Sequence, residues 1–265
     1  MIIPIDDPED PRISAFRDIR ERDLVGRDGH FIAEGEVVLG AFLASGRHEP
    51  LSLLIAEKRL AKLAPLLDRL PEAVPVHVAE QSVLDGIAGF PLHRGILALG
   101  RRAPMPAAPD LLGGLGPRAL VVVLFGISNH DNLGGIFRNA AAFGADAVML
   151  DPGCCDPFYR KAIRVSVGAT LIVPFARFQP SEDPVDLLIN QGFEPIALSP
   201  AGDTPLIRLD RPARAAVLFG TEGAGLPADV LKRSRQVGIR MAGGFDSLNV
   251  ATTSGIVLHH LAFAT

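Results

Sequence analysis

Three stretches in the second half of the chain place polar side chains among glycines, where they could contact a ligand. In SNHDNLGGIFRNAAAFGA, residues 128–145, Asn132 is a favourable helix N-cap, and Gly134 and Gly135 follow it in the first turn. Each glycine costs about 1 kcal/mol relative to alanine in a helix. Their presence predicts close approach of a ligand or another backbone, and Arg138 is the cation of this helix. An ordinary capped helix with one solvated arginine is the alternative.

The second stretch, VLFGTEGAGLP over residues 217–227, ends a predicted strand at Gly220 and places Glu222 among glycines. Glycine has no side chain, so such a loop lets its backbone N–H and C=O groups face a ligand. A plain tight turn is the alternative. The third stretch, FDSLNVATTSG over 245–255, precedes an apolar final helix, with Ser247 as its expected N-cap. Capping and ligand binding are compatible, because a helix N-terminus presents N–H donors.

The elements that position these stretches follow an α/β pattern. ALVVVLFGI, residues 119–127, is a continuous apolar run typical of a parallel strand buried on both faces. Strands and helices alternate after it, which predicts a parallel sheet with ligands at the carboxyl ends of its strands. Two of the expected strands are LIVPF (171–175) and VGIRM (237–241).

Three segments are predicted along the chain. Residues 1–101 form a small α/β domain, in which FIAEGEVVLGAFLASG (31–46) has helical periodicity. The Pro- and Gly-rich residues 102–118 indicate an interdomain linker. Residues 119–265 form the second domain.

Composition narrows the function classes. The 265 residues carry a formal net charge of −4 and 48% hydrophobic residues, as is ordinary for a soluble globular protein. No apolar run approaches the roughly 20 residues of a membrane helix, and no signal peptide is visible, so we expect a cytoplasmic protein. The adjacent Cys154 and Cys155 are interpreted as reduced and incidental, and we expect no metal site. Neither GxGxxG nor GxxxxGK[ST] occurs as a nucleotide fingerprint, which disfavours an ordinary Rossmann dehydrogenase.

Together and in this order, the three stretches resemble the motifs of the SpoU (TrmH-like) branch of the SPOUT RNA methyltransferases. The family's first motif, N-x-G-x-x-x-R-x-A-x-x-F-G, is matched from Asn132 to Gly144, and its second, G-[ST]-E-G-x-G-[LM], from Gly220 to Leu226. Its third, I-P-M-x-G followed by S-L-N-V, is matched between residues 239 and 250. VSVGAT (165–170) is similar to the family's S-x-G-A segment. Arg240 departs from the pattern, because the family usually has proline there.

The first part of the chain resembles, more loosely, the ribosomal-L30e-like substrate-binding domain that accompanies some members. HFIAEGEVVLGAFLASG is similar to its F-x-x-E-G opening, and LHRGILALG to its closing H-x-G segment. The resemblance therefore implies a trefoil-knotted, parallel-sheet SPOUT methyltransferase domain preceded by a small L30e-like α/β domain.

The resemblance also implies an activity: transfer of a methyl group from S-adenosylmethionine to a ribose 2′-hydroxyl of structured rRNA or tRNA, by a homodimer with active sites near its interface. The catalytic positions that it implies are Asn132, Arg138, Glu222, Ser247 and Asn249. The cofactor-binding positions that it implies are Leu198, Ser199, Gly220, Ile239 and Leu248.

Several alternatives stay open on the sequence. Arg138 could be the general base, but a guanidinium is essentially always protonated, so a clamp on an RNA phosphate is easier to defend. A non-catalytic RNA-binding or ribosome-assembly factor could retain the same fold. Phe158 and Tyr159 could stack on a base or pack in the core. With no basic patch in the acidic first hundred residues, RNA contacts could come from two clusters: Arg160, Lys161 and Arg164, or Arg233 and Arg235.

Overall fold

A five-stranded mixed sheet organises the first part of the chain. The computed structural model describes residues 1–17, 29–89, 92–243 and 247–263. The strands of this sheet are β1 (Ile2–Ile5), β2 (His30–Glu34), β3 (Glu49–Ala56), β4 (Val76–Ala79) and β5 (Ile96–Arg101). Their order is β1-β4-β3-β5-β2, and β5 runs antiparallel to both of its neighbours.

Helices α1 (Glu36–Ser45), α2 (Leu60–Leu67) and α3 (Gln81–Ala88) connect these strands. The helical prediction for residues 31–46 was wrong at its beginning, because residues 30–34 form β2. Phe31, Ile32 and Ala33 are all buried, so this strand lacks the alternation that separates a strand from a buried helix in sequence.

The first compact unit is discontinuous in sequence: it contains Met1–Pro104 and Pro157–Ile172. The second segment carries α6 (Arg160–Val165), which packs against β2. Its Arg160 guanidinium donates to the carboxylate of Glu34 over 2.9 Å, and Glu34 is only 5% exposed. The division of the chain therefore differs from the predicted boundaries at 101 and 119, since a segment from within residues 119–265 supplies core contacts to the first unit.

A seven-stranded, fully parallel sheet organises the second unit, Met105–Asp156 and Val173–Thr265. Its strands are β6 (Ala119–Leu124), β7 (Ala147–Leu150), β8 (Phe175–Arg177), β9 (Glu194–Leu198), β10 (Thr204–Pro205), β11 (Arg214–Phe219) and β12 (Arg235–Gly238). Every residue of β6 and β7 is buried, as the apolar runs indicated. The prediction of an α/β fold with a parallel sheet is confirmed.

Two strand predictions were displaced. The strand predicted for LIVPF lies further along the chain, as β8 at Phe175–Arg177, because Ala169–Leu171 form a 3₁₀ turn. VGIRM also ends early: β12 stops at Gly238, which leaves residues 239–241 outside the sheet. The displacement matters for function, because residues beyond a strand end can line a site.

The helices of the second unit are α4 (Ala108–Gly113), α5 (His130–Ala142), α7 (Pro184–Asn190), α8 (Ala228–Lys232) and α9 (Val250–Phe263). Helix α4 lies inside the predicted linker, so that segment is structured. Arg214 fixes its end by donating hydrogen bonds to the carbonyl oxygens of Leu112, Leu115 and Gly116.

The strand order creates a switch point at β6. From β6 the chain proceeds through β7 to β8 on one side, and then returns to build β9, β11 and β12 on the other, with order β10-β12-β9-β11-β6-β7-β8. In open parallel sheets, ligands bind at the carboxyl ends of the strands beside such a point. The loops after β6, β9, β11 and β12 all reach that edge.

Candidate functional site

The loop after β11 is a tight turn with Glu222 near its tip. The N–H of Thr221 donates to the carbonyl of Gly225 over 3.2 Å, and the N–H of Gly225 donates back over 3.1 Å. A Cβ at Gly220 would lie 2.2 Å from the Gly225 carbonyl carbon, so the loop closes only with glycine there. The two interpretations of this stretch are therefore compatible: the loop is a tight turn, and it also presents the Glu222 carboxylate.

Helix α5 begins one turn before the predicted position, so Asn132 is not its N-cap. The side-chain oxygen of Asn129 accepts from the backbone N–H of Asp131 at 2.8 Å and of Asn132 at 3.4 Å, which makes Asn129 the cap. Asn132 lies inside the first turn and is 7% exposed. Its amide is thereby available for contacts outside the helix.

Asn249, rather than Ser247, caps α9. Its side-chain oxygen accepts from the N–H of Ala251 at 2.9 Å and of Thr252 at 3.2 Å. The N-cap prediction for Ser247 was wrong because Asn249 is the residue next to the first-turn N–H groups of α9, which have no acceptor within the helix. The beginning of the stretch FDSLNVATTSG, Phe245 and Asp246, lies outside the described residues.

Three predicted catalytic side chains form one hydrogen-bonded cluster, the amide–carboxylate network of Asn132, Glu222 and Asn249. The Asn249 amide donates to the Asn132 oxygen at 2.8 Å and to the Glu222 Oε1 at 3.1 Å. The Asn132 amide donates to the same Oε1. The network joins the loops that follow β6, β11 and β12, which are separated by up to 117 residues in sequence.

Arg138 and Ser247 stay outside this network. Arg138 is six residues after Asn132, which places it about 120° away around the helix. It is exposed and makes no hydrogen bond or ion pair within the part of the chain that the structure describes. Ser247 is likewise exposed and has no hydrogen bond among those residues. Both side chains are therefore accessible to a ligand.

Helices α5 and α9 approach closely through small residues behind the network. A Cβ at Gly135 would lie 2.8 Å from the Cβ of Ala251, which explains the helical glycine. Asn139 donates to the carbonyl of Ala251 at 2.7 Å and to the hydroxyl of Ser254 at 2.9 Å. Sequence reasoning assigned no role to Asn139 or Ser254, although Asn139 lies seven residues after Asn132 on the same helical face.

A cleft of about 350 Å³ opens beside the ends of β9, β10 and β12; we call it the β12 cleft. It is lined by Pro200, Gly202, Asp203, Pro205, Gly238, Ile239, Arg240 and Met241. A Cβ at Gly202 would lie 2.4 Å from the Val237 carbonyl carbon, so the loop after β9 crosses directly over the end of β12. Backbone groups thus form much of its wall.

The predicted cofactor residues are distributed around this edge. Ile239 lines the β12 cleft, and Ser199 adjoins it by donating its N–H to the Val237 carbonyl at 3.0 Å. Leu198 is the last residue of β9. Gly220 lies at the base of the Glu222 loop, and Leu248 is 39% exposed beside Asn249. Leu198, Gly220 and Leu248 are not among the residues that line the cleft.

The loop after β7 contains the two cysteines, and it has a structural function. Arg177 donates to the carbonyl oxygens of Asp151 at 2.7 Å and Cys154 at 2.9 Å. Burial raises the pKa of the Cys154 thiol to about 12 and that of Cys155 to about 11, so both thiols stay protonated near neutral pH. Neither is suited to nucleophilic chemistry.

Two kinds of feature are absent from the described ranges. No group of three or more His, Cys, Asp or Glu side chains there could hold a metal ion. No helix in those ranges is long and apolar enough to span a membrane.

The comparisons with known proteins decide the family. The model of the SpoU rRNA methylase family matches residues 119–259, which contain the amide–carboxylate network and the β12 cleft. The chain belongs to this family. As a member it is an RNA methyltransferase, and the expected family resemblance is confirmed. An uncharacterised tRNA/rRNA methyltransferase of Mycobacterium bovis is 40% identical over 96% of this chain and 89% of that protein.

Solved structures agree over nearly the full length of this family member. The crystal structure of an RNA 2′-O ribose methyltransferase is 25% identical, with a TM-score of 0.78 over 98% of each chain. An AdoMet-bound rRNA methyltransferase from Sinorhizobium meliloti is 23% identical, with a TM-score of 0.77 over 98% of this chain and 97% of that one. The second likeness supports the fold.

The two arginine clusters proposed for RNA contain residues with carboxylate partners. Arg233 forms ion pairs with Asp183, Asp186 and Asp229, at 2.9 to 3.4 Å. Arg235 pairs with Glu194, and Arg160 pairs with Glu34. Phe158 is buried and stacks on Phe31 with ring centroids 5.4 Å apart, which is the core-packing alternative.

Proposed function

We propose that this SpoU family member transfers a methyl group from S-adenosylmethionine to a ribose 2′-hydroxyl of structured RNA. The observation that carries the proposal is the amide–carboxylate network, because it unites the three family motifs at the carboxyl edge of the parallel sheet. The activity printed for the 25% identical neighbour, an RNA 2′-O ribose methyltransferase, supports the same reaction.

The cofactor supplies an electrophilic methyl group when it is bound. The residues present fit it: the β12 cleft combines backbone groups with Ile239 and Met241, as an adenine ring requires. We place Leu198, Ser199, Gly220, Ile239 and Leu248 around the cofactor. The AdoMet bound by the Sinorhizobium meliloti enzyme supports this choice of cofactor.

The chain's own polar groups would orient the reacting ribose. In the network the two amides hold Glu222 Oε1, which leaves the second carboxylate oxygen to accept a hydrogen bond from a ligand hydroxyl. Such a contact would align the 2′-oxygen, and alignment supplies much of the rate enhancement in a transfer of this kind. The 2′-hydroxyl is absent from DNA, so a site that recognises it selects RNA.

We assign Arg138 to an RNA phosphate, and Ser247 to the ribose or the cofactor. Arg138 is accessible and always protonated, so it suits charge-assisted contacts better than proton abstraction. Arg138→Ala is expected to abolish methyl transfer and leave S-adenosylmethionine affinity within about threefold. Equal loss of both would refute this assignment. Arg69→Ala, at another exposed arginine, is the control.

The direct test measures transfer of tritiated methyl groups from S-adenosylmethionine to total RNA, followed by mapping of the 2′-O-methyl positions. Incorporation at one or a few ribose positions is expected; methylation of a base would overturn the proposal. Calorimetric binding of the cofactor without any transfer would instead favour the non-catalytic RNA-binding factor. Mapping would also decide between rRNA and tRNA.

We also propose that the protein is a homodimer that pairs through α5 and α9. The outer face of α9 exposes Ile256 at 40% and Phe263 at 68%, and His259 lies against Phe143 with ring centroids 5.5 Å apart. An apolar helix face of this kind suits a second copy of the chain. Light scattering should give twice the chain mass, and Ile256→Asp should shift it toward the monomer. A monomeric parent protein would refute the proposal.

The remaining assignments are proposals of the same kind. We propose that the methyltransferase sheet is trefoil-knotted, that the first unit is an L30e-like RNA-binding domain, and that the protein needs no metal. Insertion of β11 between β6 and β9 supports the knot. We also propose a cytoplasmic location, which suits an RNA substrate.

A further inference from the structure

Two side chains of opposite charge line the β12 cleft and remain unpaired. Asp203 follows β9 and Arg240 follows β12, and both are exposed. Within the described part of the chain neither forms a hydrogen bond or ion pair, with the other or with any third residue.

Two arginines elsewhere in the second unit have carboxylate partners. Arg233 has three carboxylate partners, and Arg235 has Glu194. Asp203 and Arg240 differ from these arginines, because among the described residues neither has a partner and both line one concave site. A ligand that fills the cleft would meet both.

Prolines and glycines shape the wall of the cleft. Two prolines, Pro200 and Pro205, fix the backbone of its wall, and Gly202 and Gly238 let two chain segments touch. None of the network residues lines it. The sulfonium of S-adenosylmethionine lies between its nucleoside and its methionine part, so with the sulfonium near the network either end could extend into the cleft. The apolar Ile239 and Met241 and the backbone of the lining suit the nucleoside.

We propose that Asp203 and Arg240 bind the nucleoside end of S-adenosylmethionine, Asp203 through the ribose hydroxyls and Arg240 through the face of the adenine. The inference rests on the proposed function. A carboxylate accepts hydrogen bonds from a ribose diol, as acidic residues do in dinucleotide sites. A guanidinium is planar and stacks on aromatic rings, which an ammonium does not do as well.

The choice of ligand distinguishes this proposal from two alternatives, in which Arg240 contacts the methionine carboxylate or an RNA phosphate. Adenosine contains the nucleoside but lacks the methionine part, so it reports on the nucleoside end alone. Calorimetry with adenosine, S-adenosylhomocysteine and S-adenosylmethionine should show that Arg240→Ala weakens all three by about tenfold. Arg240→Lys should recover only part of the loss. Arg208→Ala, an exposed arginine outside the cleft lining, should change none of them.

The role of Asp203 is tested by combining the Asp203→Ala substitution with removal of the ribose hydroxyls from the ligand. The parent protein should bind adenosine about tenfold more tightly than 2′,3′-dideoxyadenosine, and Asp203→Ala should remove that preference. A preference that survives in Asp203→Ala overturns the role of Asp203. Thermal unfolding of each variant establishes that it is folded.

Other outcomes overturn the role of Arg240. If Arg240→Ala weakens S-adenosylmethionine but not adenosine, the arginine contacts the methionine carboxylate. If it leaves all three ligands unchanged and raises the KM for RNA, it contacts an RNA phosphate. Failure of the proposed function is distinguishable, because it would show in the methyl-transfer assay of the parent protein, whereas this proposal is judged on ligand binding.

Discussion

Two sets of polar side chains, one in each unit, differ in their exposure to solvent. In the first unit, the buried Glu34 pairs with Arg160, and the Nδ1 atom of the half-buried His48 accepts from the N–H of Ala103 at 3.1 Å. In the second, Glu222 and Asn249 are exposed at the sheet edge and bonded to each other. Buried pairs determine how a unit folds, whereas exposed and organised groups determine what it can bind. Four variants test this contrast.

The largest effect is expected at Glu222. Glu222→Gln keeps the shape of the side chain but removes the charge that organises the two amides, so methyl transfer should fall at least about 100-fold. The melting temperature should stay within a few degrees of the parent, because the side chain is exposed. Glu72→Gln, an exposed glutamate of the first unit, is the control. A comparable loss of stability and activity would mean that Glu222 has a structural function, like Glu34 in its pair with Arg160.

Gly220→Ala tests whether the second unit also depends on backbone contact. The added Cβ would lie 2.2 Å from the Gly225 carbonyl carbon, so the Glu222 loop must open. We expect a destabilisation of about 3 kcal/mol together with loss of cofactor binding. Urea unfolding and calorimetry measure the two effects. Gly116→Ala, with no atom near its added Cβ, should be nearly neutral. Unchanged binding in Gly220→Ala would contradict the closed geometry of this loop.

Glu34→Gln should destabilise the protein by about 3 kcal/mol, near the lower end for a broken buried ion pair, because Arg160 is 21% exposed at its side chain. Any activity that remains should have an unchanged kcat. Glu36→Gln breaks the exposed pair with Lys62 and should cost less than about 1 kcal/mol. Equal costs for the two variants would remove the distinction between buried and exposed pairs.

The smallest effect concerns His48. Burial, aided by Arg47, lowers the pKa of its imidazole from 6.5 to about 4. Between these values the unfolded chain binds the proton and the folded chain does not, so stability should fall as pH drops from 6.5 toward 4. His48→Gln should flatten that slope in urea unfolding, while His93→Gln, at an exposed histidine, should leave it in place. A slope that persists in His48→Gln would assign it to another group.

Much of the second unit could be predicted from its sequence. Uniformly apolar runs such as β6 indicated a parallel sheet, because a strand buried on both faces has no polar side to show. The same uniform burial led to the wrong prediction in the first unit, where four of the five residues of β2 are buried and the strand could not be separated from the periodicity of α1. The helices begin a few residues away from the predicted positions. By residue type, Asn129 and Asn132 are similar N-caps, and so are Ser247 and Asn249. Only the folded backbone determines which residue of each pair is the cap.

The sequence by itself determined the family, the three polar stretches and the class of chemistry, because these depend on residue types at fixed spacing along the chain. Only the tertiary structure decided which of those residues meet. It joined Asn132, Glu222 and Asn249, left Arg138 and Ser247 exposed, and assigned Asn139 to the packing of α5 against α9. Such contacts join residues that are 27 to 117 positions apart, and local propensity carries no information about them. The unpaired charges of Asp203 and Arg240 belong to the same class, since two strand ends had to be brought together before one cleft could contain both.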